Sequence, residues 1–265
     1  AGRRLFAGVP GGSRESMHEA GRERKRGLAG ILWNWNEDQG MMKIYLIRHS
    51  ITEGNRRKRY IGRTDEPLCR QGVKLLEGRT YPRVDKVYAS PMKRCLQTAG
   101  IIYPDMRPLV IEELAECDFG LFENKNYQEL SGYPYYQQWV DSNGTLPFPQ
   151  GESKEAFTKR SLRGFDRVLE DMRETQKETA ALIVHGGTIM SIMDAYACPK
   201  GSYFEFQVGN GEGYELVITN DLPSADGICA GSDPGRSQVA LSSGADDRIA
   251  DYNIRKNYKK LPAEI

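Results

Sequence analysis

Two of the three histidines in the chain stand where a side chain could take part in catalysis. His49 follows the apolar run Ile44 to Arg48, and His185 ends a second run, Ala181 to His185. Both runs predict β-strands, and an open α/β sheet binds its ligands beyond the carboxyl ends of its strands. A single histidine is more often a structural residue, but two in the same context predict that both imidazoles reach one binding edge.

Arg48 and the residues after His49 add the groups that a phosphate needs. A guanidinium offers a fixed fork of donors that matches phosphoryl oxygens two at a time, and it stays charged at any working pH. The segment Ser50 to Asn55 supplies a hydroxyl, an amide and a glycine that lets backbone N–H groups turn toward an anion. These residues predict an anion site at the end of the first strand.

The elements that must position these residues follow an α/β pattern from Lys43 onward. The sequence predicts a three-layer α/β/α sandwich with a mostly parallel central sheet. Predicted strands are Ile44 to Arg48, Lys86 to Ala89, Leu109 to Ile111 and Ala181 to His185. Predicted helices are Met92 to Ile102, Tyr127 to Val140, Lys154 to Thr175 and Thr188 to Ala195. Tyr203 to Val208 and Tyr214 to Thr219 flank a glycine-rich turn and predict a closing β-hairpin.

The composition predicts one catalytic domain, residues 42–221, between two extensions. Residues 1–41 are rich in Gly, Arg and Glu and predict a disordered extension, with the native domain starting at Met41 or Met42. Residues 222–265 carry few large apolar side chains and predict a flexible C-terminal extension. Within it, Arg255 to Lys260 fits either a short helix or a solvated tail, and the tail is favoured.

Charge and cysteine content exclude several classes of protein. Lys+Arg 37 against Asp+Glu 36 gives a net charge of +1, so no overall field favours nucleic acid or an anionic membrane. No apolar run approaches the roughly 18 residues of a membrane span, and the first residues lack the apolar h-region of a secretory signal, so we expect a cytoplasmic protein. Five scattered cysteines without a C-x-x-C pair suggest neither a disulfide framework nor a zinc site. The oligomeric state is left open.

Five segments resemble, in order, the motifs of the histidine phosphatase (phosphoglycerate mutase-like) superfamily. The first is Arg48-His49-Ser50-Ile51-Thr52-Glu53-Gly54-Asn55, similar to R-H-G-x-T-x-x-N. The others are Tyr60 to Leu68 with Gln71-Gly72, Tyr88 to Ala99 with its S-x-x-x-R-x-x-x-T-A pattern, Glu113 to Gly120 around the acid, and Val184 to Gly187 around the second histidine. The resemblance covers about residues 42 to 220 and implies a phosphoglycerate mutase-like fold.

The resemblance implies a role for each matched residue. His49 takes the phosphoryl group, Glu116 donates the proton, and Arg48, Arg94 and His185 surround the phosphate. Further substrate contacts are implied for Asn55, Arg63, Ser50, Thr52 and Gly186. Without the other motifs, Arg94 would be interpreted as a solvated helix charge.

These roles agree with the chemistry of the residue types. A histidine nucleophile needs one unprotonated ring nitrogen, and neighbouring arginine charges oppose its protonation. A carboxylic acid with a raised pKa can protonate a leaving alkoxide. Glu112, Glu113 and Asp118 compete for this role, but the spacing to Phe119-Gly120 selects Glu116. No metal or cofactor is demanded, because cationic side chains can neutralise the transferred group.

The substrate is less defined than the chemistry. Within the superfamily the chain is most similar to bacterial alpha-ribazole phosphatases, through Gly62 to Asp65, the short segment between Glu116 and His185, and Gln150 to Ser153. Alternatives are a sugar-phosphate or phosphoglycerate mutase-like phosphatase, or a non-catalytic phospho-ligand binding module. Ser50 replaces the family's usual glycine, and Phe122 replaces a tryptophan. The aromatic segment Asn124 to Gly151 forms either a lid that stacks on a base or, as is more usual, the core face of a helix.

Overall fold

The computed structural model describes residues 41–197, 200–218 and 259–261. The predictions for residues 1–40, and those for residues 222–265 apart from 259–261, lie outside the described residues. The domain boundaries therefore stay predictions, although the first strand does begin at Met42.

A mixed sheet of six strands forms the centre of the described domain. Its strand order is β3-β2-β4-β1-β5-β6, with β1 at Met42–Arg48, β2 at Lys86–Ala89, β3 at Leu109–Val110, β4 at Thr179–Val184, β5 at Gly213–Ile218 and β6 at Lys259–Lys260. The first four strands pair in parallel, whereas β5 and β6 pair antiparallel. Arg48 is opposite Val184 in the register of β1 and β4. The two strands therefore end together and place His49 and His185 at one edge, as predicted.

Helices cover both faces of the sheet. They are α1 at Glu53–Arg56, α2 at Arg70–Glu77, α3 at Lys93–Ile102, α4 at Tyr127–Leu130, α5 at Pro134–Asp141, α6 at Lys154–Glu174 and α7 at Gly186–Tyr196, with 3-10 helices at Glu112–Leu114, Gly120–Phe122 and Tyr203–Phe206. Ile47 and Ile183 project from one face into a core with Cys95 of α3. On the other face, the Tyr88 hydroxyl donates to Asp171 of α6. This arrangement confirms the predicted α/β class.

The predicted hairpin is wrong. Tyr203–Phe206 is a 3-10 helix with Ser202 and Glu205 forming a capping box, and β5 pairs with β1. The alternating pattern of Tyr203 to Val208 is typical of a strand, but capping by Ser202 favours a helical turn instead. The single helix predicted over Tyr127 to Val140 is also wrong, because Pro134 starts a separate helix, α5.

Residues 259–261 differ from the flexible tail that the sequence predicts there. Lys259 is opposite Glu215 and Lys260 is opposite Tyr214, so β6 extends the sheet at β5. The unpaired edge of β5 can form backbone hydrogen bonds whatever the composition of the partner strand. In the part of the chain that the structure describes, no helix is long and apolar enough to cross a membrane.

Candidate active site

A cavity of about 520 Å³ opens where β1 and β4 end. Arg48 and His49 enter its wall from the end of β1, and Gly186 and Gly187 enter it from the first turn of α7. Glu116 completes this part of the wall. The cavity therefore joins the first histidine motif to the predicted acid.

The His49 ring is buried and held in one tautomer. Its Nδ1 lies 2.7 Å from the backbone carbonyl oxygen of Ser50. Because a carbonyl can only accept, Nδ1 carries the hydrogen and Nε2 keeps its lone pair. Burial, followed by the charges of Arg94 and Arg48, lowers the pKa of His49 well below its usual value. The ring is thus a neutral imidazole with one unprotonated nitrogen.

Arg48 and Arg94 supply cationic donors in different ways. Arg48 Nη1 donates to the carbonyl of Val208 over 2.7 Å, and Arg48 lines the cavity. Arg94 is fully buried and donates to the carbonyls of Gly62 and Thr64, each over 2.9 Å. The Nε atoms of both arginines are buried without a hydrogen-bond partner. Arg48 lines the cavity and Arg94 does not, so an anion in the cavity is a natural acceptor for Arg48, since an unpaired charged donor is costly to bury.

His185 lies against His49 and is also buried. The two ring centroids are 5.2 Å apart in an edge-on arrangement, and His185 Nε2 lies 2.7 Å from the Ser90 hydroxyl oxygen. Burial, Arg94 and His49 lower the pKa of His185 well below its usual value. A second neutral imidazole therefore lies directly beside the first, although His185 itself does not line the cavity.

Glu116 has the opposite shift. Burial raises its pKa, although a hydrogen bond from the Cys117 backbone and the charges of Arg94 and Arg48 act to lower it. Gly187 allows this carboxyl to lie close to α7, because a Cβ at that position would be 2.8 Å from Glu116 Oε1. A carboxyl in a cavity wall with a raised pKa can hold a proton for transfer.

Asn210 is a residue of the site that the sequence did not indicate. Its Nδ2 donates to the carbonyl of His49 over 3.0 Å and to Asn55 Oδ1 over 3.1 Å. The backbone N–H of Gly211 also donates to the carbonyl of Arg48 over 3.0 Å. The turn before β5 therefore clamps the end of β1. The only signal in the sequence is an asparagine between glycines.

The predicted substrate contacts divide into two groups. Asn55 and Gly186 line the cavity, whereas Ser50, Thr52 and Arg63 do not. Ser50 Oγ donates to the carbonyl of Gly72, and Thr52 Oγ1 caps α1. Arg63 pairs with Asp118 over 3.2 Å, and its side chain is 76% exposed. The structure does not bring these three side chains to the cavity wall.

Aromatic side chains form much of the remaining wall. Phe119 and Phe148 meet edge to face with centroids 5.0 Å apart, and both contact Tyr60 in the same way. Trp139 of α5 also lines the cavity, while its ring packs on Phe122. Trp139 therefore contributes both to the cavity wall and to aromatic packing, and the use of this segment as a lid stays a prediction.

The other charged residues of the wall are cations. They are Lys58, Arg59 and Lys154. Arg59 pairs with Glu129 over 2.7 Å, and the Lys154 ammonium lies 4.0 Å from the centroid of the Tyr203 ring. Within the described residues, Glu116 is the only acidic side chain of this wall.

Comparison with known proteins gives a family match over most of the described domain. The model of the histidine phosphatase superfamily (branch 1) matches residues 44–229. A Hydrogenobacter thermophilus protein named "Putative phosphoserine phosphatase 2" is 32% identical over 164 residues, 58% of this chain and 77% of the relative. The adenosylcobalamin/alpha-ribazole phosphatase of Salmonella typhimurium is 29% identical, over 64% of this chain and 87% of the relative.

A solved structure agrees with the fold. The alpha-ribazole phosphatase of Shigella flexneri superposes with a TM-score of 0.58 and 25% identity, covering 68% of this chain and 92% of that one. The chain therefore shares the mostly parallel α/β architecture of a phosphatase of known structure.

Proposed function

The chain belongs to the histidine phosphatase superfamily, and from that premise we propose that it is a phosphomonoesterase that forms a phosphohistidine at His49 without a metal ion. One observation carries the proposal. His49 Nδ1 donates to a backbone carbonyl, and burial and two arginines hold the ring neutral, so Nε2 is available as a nucleophile beside the donors of Arg48.

In the first step, His49 Nε2 attacks phosphorus and the bond from phosphorus to the ester oxygen breaks. Arg48 stabilises the charge on the transferred group from the cavity wall, and Arg94 and His185, which do not line the cavity, support it from their buried positions beside His49. Glu116 gives its proton to the departing alkoxide and becomes a carboxylate. The products are a phosphohistidine and the free alcohol.

In the second step, the Glu116 carboxylate accepts a proton from water as the water oxygen attacks phosphorus. The bond between Nε2 and phosphorus breaks, and inorganic phosphate and neutral His49 result. The raised pKa of Glu116 suits it to act as acid in one step and base in the other.

The substrate that we propose is a small phosphorylated metabolite with a flat, uncharged alcohol half, such as alpha-ribazole 5'-phosphate. The aromatic faces of Phe119, Phe148 and Trp139 suit such a ring. A relative named as an alpha-ribazole phosphatase supports this choice. Lys58 and Lys154 would suit the carboxylate of phosphoserine but oppose its ammonium, for which Glu116 is the one acidic side chain among the described residues of the wall.

The test is phosphate release in excess EDTA from alpha-ribazole 5'-phosphate, phosphoserine, 3-phosphoglycerate, a sugar phosphate and p-nitrophenyl phosphate. We expect turnover that EDTA does not change, with alpha-ribazole 5'-phosphate the preferred metabolite, and loss of turnover in His49→Ala. Acid-labile phosphate on wild-type protein that is missing from His49→Ala would identify the intermediate. Binding of phosphate esters without turnover by folded protein would instead favour the non-catalytic module.

A further inference from the structure

Arg160 of α6 is bonded to the segment that carries Glu116. Its Nη1 donates to the carbonyls of Glu113 over 2.8 Å and Ala115 over 2.9 Å, and its Nη2 donates to the carbonyl of Glu116 over 3.2 Å. Nε and Nη2 form a bidentate pair with Glu152 over 2.9 and 2.7 Å. The guanidinium therefore has all of its N–H donors engaged.

Glu152 extends this connection to the other side of Glu116. Its Oε2 accepts from the backbone N–H of Asp118 over 3.0 Å, and its own N–H donates to the carbonyl of Asp118 over 2.9 Å. The ion pair between Arg160 and Glu152 thus bonds the chain before, at and after Glu116. Both side chains are largely buried, at 20% and 23% exposure.

We propose that Arg160, supported by Glu152, is the positioning residue for proton transfer by Glu116. Arg160 holds the acid by its backbone carbonyl, and the five hydrogen bonds of its guanidinium go to three backbone carbonyls and to Glu152, not to the Glu116 carboxyl. The inference rests on the proposed function, because it assigns a support to the proton donor named there. A small displacement of a catalytic group lowers the rate strongly even when the fold is intact.

Substrates whose leaving groups differ in basicity can distinguish two roles for Arg160, the positioning of Glu116 and a general support of the fold. An alkyl phosphate expels an alkoxide that needs a proton, whereas p-nitrophenolate leaves without one. A residue that positions Glu116 therefore matters for the alkyl ester and much less for the aryl ester. The quantity to compare is kcat/KM, because kcat also includes hydrolysis of the phosphoenzyme, which both esters share.

The experiment measures kcat/KM of Arg160→Met on ribose 5-phosphate and on p-nitrophenyl phosphate. We expect a loss of about 10- to 100-fold on the alkyl ester and less than about 3-fold on the aryl ester, within the range of general acid catalysis. Glu116→Gln should show the same selectivity with a larger loss. Arg167→Met is the matched control, because Arg167 binds Glu113 of the same segment from an exposed position on α6 and should change neither value.

Glu152→Gln is a smaller change in the same ion pair and is measured on the same two esters. If Arg160→Met does not fold, the kcat/KM values of Glu152→Gln test the inference. Equal losses on both esters in folded protein, or no loss on either, would overturn the inference and leave the proposed function intact. Failure of wild-type protein to hydrolyse either ester, or a Glu116→Gln variant without ester selectivity, would instead contradict the proposed function or its choice of acid.

Discussion

At the scale of single residues, burial shifts the pKa values of His49 and Glu116 in opposite directions. In each case burial favours the uncharged form, since it disfavours imidazolium and carboxylate alike. The uncharged forms are a nucleophile and a proton donor. One physical cause thus prepares both partners of the proposed first step.

The pH dependence of kcat/KM should reflect these two shifts. The lowered pKa of His49 keeps the nucleophile neutral at pH values below its usual 6.5, so its acid limb lies below that pH. The raised pKa of Glu116 keeps the donor protonated above its usual 4.5, and the rate falls as the pH rises through the raised value. We expect this basic limb with an alkyl phosphate, after correction for substrate ionisation.

The basic limb of the pH profile of kcat/KM should disappear in Glu116→Gln, whose amide does not titrate. It should be weak when the substrate is p-nitrophenyl phosphate. A basic limb of equal depth for both esters in wild-type protein would assign it to another group. Because interacting groups titrate together, the profile is interpreted as that of the site and not of one side chain.

The centre of the site can be predicted from the sequence better than its edge. The sequence predicts His49, Arg48 and Glu116, and the structure places all three in one cavity wall, because strand ends and motif spacing determine where they lie. Arg94 and His185 are predicted as well, but both are fully buried and do not line this wall. Arg63 and Ser50 were predicted as contacts and lie elsewhere, since the direction of a loop side chain depends on neighbours distant in sequence. Tertiary bonds of that kind leave no local pattern.

At the scale of elements, the turn between the 3-10 helix Tyr203–Phe206 and β5 holds the end of β1, which His49 follows. Asn210 could not be predicted as its key residue, because β5 was expected to pair in a hairpin and not with β1. That pairing brings Asn210 to the carbonyl of His49. An error in strand pairing therefore concealed a residue of the site.

Substitution of Asn210 should impair catalysis in a graded way. Asn210→Ala removes the contacts of Nδ2 with the carbonyls of His49 and Ser50 and with Asn55 Oδ1, and a loss of about tenfold in kcat/KM is within the roughly 1–3 kcal/mol of leaving an acceptor unpaired. Asn210→Asp should lose more, because a carboxylate repels the carbonyl of His49 and the incoming phosphate. Steady-state kinetics on folded variants, judged by thermal melting, provide the measurement. Equal and small effects of both changes would argue against a clamp.

At the scale of the whole molecule, residues from the far end of the chain complete the sheet. Leu261 donates its backbone N–H to the carbonyl of Gly213 over 2.9 Å, and its side chain packs on the core cluster that contains Tyr45 and Ile47. The segment 222–265 was predicted as flexible from its composition. Composition describes the average of a segment and does not predict the three residues that pair with β5.

Removal of β6 should therefore destabilise the domain. A chain ending at residue 258 loses the pairing of β6 with β5 and the packing of Leu261, and it exposes the edge of β5. We expect the free energy of unfolding to fall by about 1–3 kcal/mol, from a few hydrogen bonds and one partly buried leucine. A chain ending at residue 261 keeps these contacts and is the matched control.

Urea denaturation of the two truncated chains measures the difference. Because β5 begins directly after the turn that carries Asn210, the shorter chain should also lose kcat/KM, whereas the control should keep both its midpoint and its activity. Equal unfolding midpoints would show that β6 contributes no stability. A lower midpoint with unchanged kcat/KM would show that the turn holds His49 independently of the strand at the sheet edge.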